Sequence, residues 1–126
     1  MHKGIAFAFL AAISLTPAAA AAPAVTGINL ANFSFTPMTI RLQAGVPTVL
    51  RLRNASSGGH SFTAPQFFAA SRIQPQSAAL VQKGKVEIPG GATVDIALIP
   101  AAGQYPLKCS HPFHAAFGMK GTIVVR

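Results

Sequence analysis

The sequence predicts an all-β fold, a Greek-key β-sandwich or barrel with a short, partly helical insertion. Two observations carry that expectation. Apolar and polar residues alternate over several short stretches, and Gly, Pro, Asn and Ser punctuate the chain between them. No long segment keeps a helical period, so a bundle or an α/β fold has no support.

Each element has its own justification. Val25 to Phe35 (VTGINLANFSF) reads as a first strand, and Met38 to Leu42 as a second, closed by Ala44-Gly45 and Pro47. Thr48 to Arg53 alternates cleanly, with Leu50 and Leu52 on one face and Arg51 and Arg53 on the other. Asn54 to Gly59 (NASSGG) is a turn by composition. Ala92 to Leu98 alternates again, placing Val94, Ile96 and Leu98 inward, and Gln104 to Cys109 and Gly121 to Val125 supply the last two strands. Pro65 to Gln82 breaks the pattern. It lacks period-2 alternation and reads as an insertion with one or two short helices across the sandwich, one of them capped by Ser77 over Ser77 to Val81.

The first 22 residues are set apart. Met1-His2-Lys3 is charged, Gly4 to Leu15 is an almost unbroken apolar run, and Ala18 to Ala22 offers small-residue cleavage sites near 20–22. That is the pattern of a secretory signal peptide. The run falls short of the roughly 20 apolar residues that a spanning helix needs. The expectation is therefore a signal over residues 1–22 and one domain over 23–126, periplasmic or secreted, with no stable membrane insertion after cleavage.

Charge narrows the function classes. The whole chain carries +8, from ten Lys and Arg against Glu87 and Asp95. The basic residues are scattered and form no run, so neither composition nor the expected export suits nucleic acid; a field that attracts an acidic protein suits both, and so does a basic surface that only aids solubility. Two acids, both in strand-like segments, also leave no orienting partner for an activated nucleophile, and the chain is not expected to be an enzyme. Cys109 is the only cysteine, so no internal disulfide can form, and an exported thiol needs another occupation such as metal ligation or burial.

The chemistry concentrates near the C-terminus. Cys109, His114 and Met119 lie on one loop between two strands at C-x4-H-x4-M spacing, and His60 follows Ser57-Gly58-Gly59 far upstream. Two imidazoles and a thiolate with a weak thioether suit copper cycling between Cu(I) and Cu(II), whereas a thioether is a poor zinc ligand. A loop between paired strands gathers three donors at one end of a sandwich, and an upstream strand must deliver the fourth.

In Gly59-His60-Ser61-Phe62 and in Tyr105 to Val125 the chain resembles the cupredoxins (azurins, auracyanins, plastocyanins), most closely those with four residues between Cys and the following His. The resemblance implies one copper ion held by His60, Cys109, His114 and Met119, with Cys109 giving the blue colour and Met119 the weak axial bond. It implies a monomeric one-electron carrier that exchanges electrons with an acidic redox protein, such as a cytochrome or a copper-dependent reductase, through an apolar patch at His114. Copper storage or delivery is the alternative. Ser61 stands where many relatives have Asn and is expected to tie the two ligand loops together. His111 is an extra imidazole inside the loop, expected to lie beside the site rather than in it.

Overall fold

The computed structural model describes residues 3–14 and 22–126. Residues 3–14 form no regular element and are exposed throughout, and the expected cleavage region at 20–22 lies, apart from Ala22, outside the described residues. Among the described residues no helix is long and apolar enough to cross a membrane.

The described residues form ten strands and two short helices: β1 (Ala24–Ala31), β2 (Ser34–Thr36), β3 (Thr39–Leu42), β4 (Thr48–Asn54), β5 (His60–Thr63), α1 (Pro65–Ala70), β6 (Arg72–Ile73), α2 (Pro75–Ala78), β7 (Lys85–Ile88), β8 (Thr93–Ile99), β9 (Gly103–Lys108) and β10 (Lys120–Val125). They form two five-stranded sheets, ordered β2-β1-β4-β8-β6 and β3-β10-β9-β5-β7. The pairs β1/β4 and β3/β10 are parallel and the others antiparallel. The result is a sandwich rather than a closed barrel.

Alternation drives the layering. Leu50, Leu52, Ile96 and Leu98 from one sheet and Ile40, Phe62, Ile88 and Ile123 from the other are all buried in a common core. Phe62 stands at its centre, edge-on to Phe35 (ring centroids 6.0 Å) and to Phe68 (5.9 Å). At the sandwich's far end the Tyr105 hydroxyl donates to the carbonyls of Ala101 (2.9 Å) and Ala102 (3.1 Å) and closes the β8–β9 connection.

Three expectations are corrected. The first strand is interrupted at Asn32-Phe33, where Phe33 takes a left-handed conformation (φ 59°) and turns the chain back into β2. The segment 65–82 does hold two short helices, but β6 between them pairs with β8 and so extends a sheet. Ser77 caps nothing. It is buried inside α2, and its hydroxyl accepts a hydrogen bond from the Ala97 N–H (2.9 Å), satisfying a backbone group of β8. Sequence pattern also left out β5 as a strand, since its four residues are all buried and show no alternation.

Truncating the central ring tests the core. Phe62→Ala is expected to lower the unfolding free energy of the metal-free protein by about 3–5 kcal/mol, read from urea denaturation; a change below about 1 kcal/mol would contradict a close-packed core at that position.

Candidate metal centre

One end of the sandwich gathers the chemistry-bearing side chains, and each arrives for a local reason. His60 is the first residue of β5 and is buried. The loop before it is held by Asn54, the last residue of β4. The buried Asn54 amide donates to the carbonyls of Gly58 (2.8 Å) and Ile88 (2.9 Å), and its oxygen accepts from the N–H (2.9 Å) and hydroxyl (2.7 Å) of Ser56. The turn that follows β7 presses against the same loop: a Cβ on Gly90 would stand 2.1 Å from the Ser57 carbonyl oxygen, so only glycine fits.

Cys109 and Met119 continue the β9–β10 ladder past its ends. The Cys109 N–H donates to the Met119 carbonyl (3.1 Å), and the Met119 N–H to that of His114 (3.0 Å). The loop between them is knotted by its own turns, Phe117 N–H to Phe113 carbonyl (3.0 Å) and His114 N–H to His111 carbonyl (3.2 Å). These bonds leave Cys109 and Met119 fully buried and His114 half-buried.

Three donors converge. The Nδ1 atoms of His60 and His114 are 3.2 Å apart, and the Cys109 sulfur lies 3.9 Å from the first and 3.4 Å from the second. A first-row metal ion sits about 2.0–2.1 Å from imidazole nitrogen and about 2.3 Å from thiolate sulfur, which spaces such donors between 3 and 4 Å from one another in a trigonal set. The cluster fits a metal ion on spacing and on donor chemistry. The Nε2 of His60 is buried without a hydrogen-bond partner among the described residues, whereas Nδ1 faces Cys109 and His114. Burial, and then the neighbouring His114 and His111, push the His60 imidazole below its ordinary range. A neutral ring is the form that offers a lone pair.

The support around the thiol is polar and continuous. Ser61 donates its N–H to the Cys109 sulfur (3.3 Å), and its hydroxyl accepts from the Ser110 N–H (2.8 Å) while contacting the hydroxyls of Thr63 (2.8 Å) and Ser110 (2.9 Å). The expected tie between the two ligand segments is therefore present, and Thr63 and Ser110 enlarge it. His111 lies beside the donors without joining their cluster. Its Nε2 meets Glu87 Oε2 at 2.8 Å, and its ring centroid stays 6.4 Å from that of His60 and 5.4 Å from that of His114. Burial alone would raise Glu87, but hydrogen bonds from His111 and Lys85 and their charges hold its carboxyl below the usual range.

Four supporting residues escaped sequence reasoning: Asn54, Glu87, Ser110 and Phe33. Asn54 had a signal, since Asn opening the run Asn-Ala-Ser-Ser-Gly-Gly is an Asx-turn pattern. Phe33 had none. Its ring packs edge-on against His114 (5.3 Å), a contact across 81 residues created by the β1–β2 turn, and lies tilted against Phe117 (5.3 Å).

Comparisons with known proteins agree with the geometry. A family model described as a cupredoxin-like domain matches residues 4–125. Among solved structures the chain is similar to auracyanin A, a "blue" copper protein from the green thermophilic photosynthetic bacterium Chloroflexus aurantiacus, at 21% identity and TM-score 0.60, covering 83% of this chain and 100% of that one. It is similar to the dithionite-reduced auracyanin of Roseiflexus castenholzii, at 18% identity and TM-score 0.59, covering 85% and 99%. It also overlays 31% of the McoA multicopper oxidase of Aquifex aeolicus, at 16% identity and TM-score 0.64 over 89% of this chain. No curated protein sequence matches.

Two outcomes follow from the site's construction. Asn54→Ala removes both donors and the acceptor of the loop clamp and is expected to cost at least about 2 kcal/mol in urea denaturation and to weaken metal binding through His60; unchanged stability would refute the clamp. For the metal-free protein, lowered His60 basicity means that the unfolded chain takes up a proton near the ordinary value of 6.5 which the folded chain resists. The stability linked to His60 is thus complete above that pH and is lost as pH falls below it, down to the folded-state value. Midpoints of thermal unfolding recorded from about pH 8 to about pH 5 should fall more steeply for the wild type than for His60→Gln; parallel slopes would contradict it.

Proposed function

The chain belongs to the cupredoxin-like domain family, and from that premise we propose that it is an exported one-electron carrier whose copper ion is held by His60, Cys109, His114 and Met119. The observation that carries the reading is the convergence of two imidazole nitrogens and one thiol sulfur within 3.2–3.9 Å at the end of a rigid sandwich. Copper supplies a one-electron couple between Cu(I) and Cu(II) at such a donor set.

The chain's own residues do the rest. Ser61 and the strand ends hold the donors at fixed spacing, so little rearrangement accompanies a change of charge. Burial of His60, Cys109 and Met119 keeps water away on three sides. His114 is the half-buried member, and its surroundings are apolar and exposed: Phe33 at 43%, Phe117 at 68% and Phe113 at 75%. An exposed apolar patch of this kind suits a brief contact with a partner. The distributed positive charge would steer an acidic redox protein, such as a cytochrome or a copper-dependent reductase, toward it. The carrier would work as a monomer, in the periplasm or outside the cell, after loss of residues 1–22.

Copper storage or delivery asks for an open site with a spare donor. The buried sulfur and the engagement of His111 by Glu87 favour the carrier instead.

The purified Cu(II) protein should be intensely coloured by its thiolate–copper band. Cys109→Ser should abolish the colour, whereas Met119→Leu should keep it and shift the reduction potential, because an axial thioether tunes the couple without supplying the band. Colour that survives in Cys109→Ser would overturn the ligand assignment. Rapid loss of Cu(I) to a chelator combined with sluggish electron self-exchange would overturn the carrier role.

A further inference from the structure

A second feature of the copper end is not used by the donors or by the patch at His114. Lys108 and Lys120 stand directly opposite one another on the antiparallel strands β9 and β10. Like charges in that register destabilise a sheet, so the pair works against the fold that carries it. Neither acidic side chain of the sequence pairs with it. The whole sequence holds two acids, and both are engaged elsewhere, Asp95 with Arg51 and Glu87 with Lys85 and His111. Both lysines are exposed.

The two lysines border a cleft of about 390 Å³ whose other walls include Pro65, Pro106 and Leu107. The cleft is therefore apolar beside a doubly cationic rim. Lys108 is bonded to Cys109 and Lys120 to Met119, so whatever binds here lies one residue from two of the four proposed donors.

We propose that Lys108, Lys120 and the adjoining cleft form a docking site for an acidic segment of a partner protein, two carboxylates meeting the two ammonium groups while an apolar side chain between them enters the cleft. Charge complementarity identifies the occupant, because both acidic side chains of this sequence are engaged elsewhere and the two ammonium groups stand together beside an apolar cleft. The site rests on the carrier reading and specifies where its acidic partner is gripped.

The test uses the full-length protein loaded with Cu(I), which is diamagnetic, titrated at low salt with an acidic hexapeptide that has one central leucine and followed by amide chemical shifts. Saturable shifts should centre on Lys108, Lys120 and the residues around Pro65. The double variant Lys108→Gln/Lys120→Gln should weaken binding about tenfold, the scale of two exposed charge pairs, while Arg53→Gln/Arg72→Gln, which removes the same charge from the opposite sheet, should change it less than about twofold. Equal weakening by both doubles would show a net-charge effect and overturn the proposal. Shifts centred on Phe113, His114 and Phe117, or a pattern fully reproduced by inorganic phosphate, would overturn it too. The Lys108→Gln/Lys120→Gln protein should keep the wild-type visible spectrum with Cu(II), so a lost docking site and a wrong copper assignment give different results.

Discussion

The contact on which the copper end depends is that between Ser61 and Cys109. The Ser61 N–H points at the thiol sulfur while its hydroxyl takes the Ser110 N–H, so one residue of β5 holds both the donor atom and the backbone beside it. His60 precedes Ser61, which means that fixing Ser61 also fixes the imidazole next to it. The two ligand segments, 48 residues apart between Ser61 and Cys109, are thereby brought to hydrogen-bonding distance. A backbone N–H to a thiolate also lowers the electron density on sulfur, and second-sphere bonds of this kind tune a metal as well as orienting its ligands.

Everything around that contact limits motion. Asn54 and the close approach of Gly90 to Ser57 hold the loop that leads into β5. The ladder bond from Cys109 to Met119 and the turns of the 110–118 loop hold the other side. The hydroxyls of Ser61, Thr63 and Ser110 satisfy one another in a place where a lone buried polar group would be costly. A rigid cradle of this kind suits electron transfer, where the same donors must accept two charge states with little movement.

The outer surface divides into regions with different physics. Around His114 the aromatic rings of Phe33, Phe113 and Phe117 form an apolar cap. Around Lys108 and Lys120 the surface is cationic beside an apolar cleft. Glu87, one of only two acids, sits on the edge strand β7 between His111 and Lys85 and puts a charged side chain on that edge.

Much of this was legible in the chain itself. Period-2 alternation in Thr48–Arg53 and Ala92–Leu98 located two strands that proved to pair with each other, and the spacing of Cys109 and His114 put a thiol and an imidazole on one loop, where the fold brings them together. Local pattern could carry these features because alternation and loop spacing are properties of neighbouring residues. What it could not carry is direction across the fold. Whether His111 joined the donors or met Glu87, whether Ser77 capped a helix or served Ala97, and whether Phe33 ended inside a strand or over His114 depended on register and turn handedness between segments far apart in sequence. The sequence alone determined which atoms were available to bind a metal; only the tertiary structure decided which of them meet, because side-chain direction is set by the packing of two sheets and not by the order of residues along either.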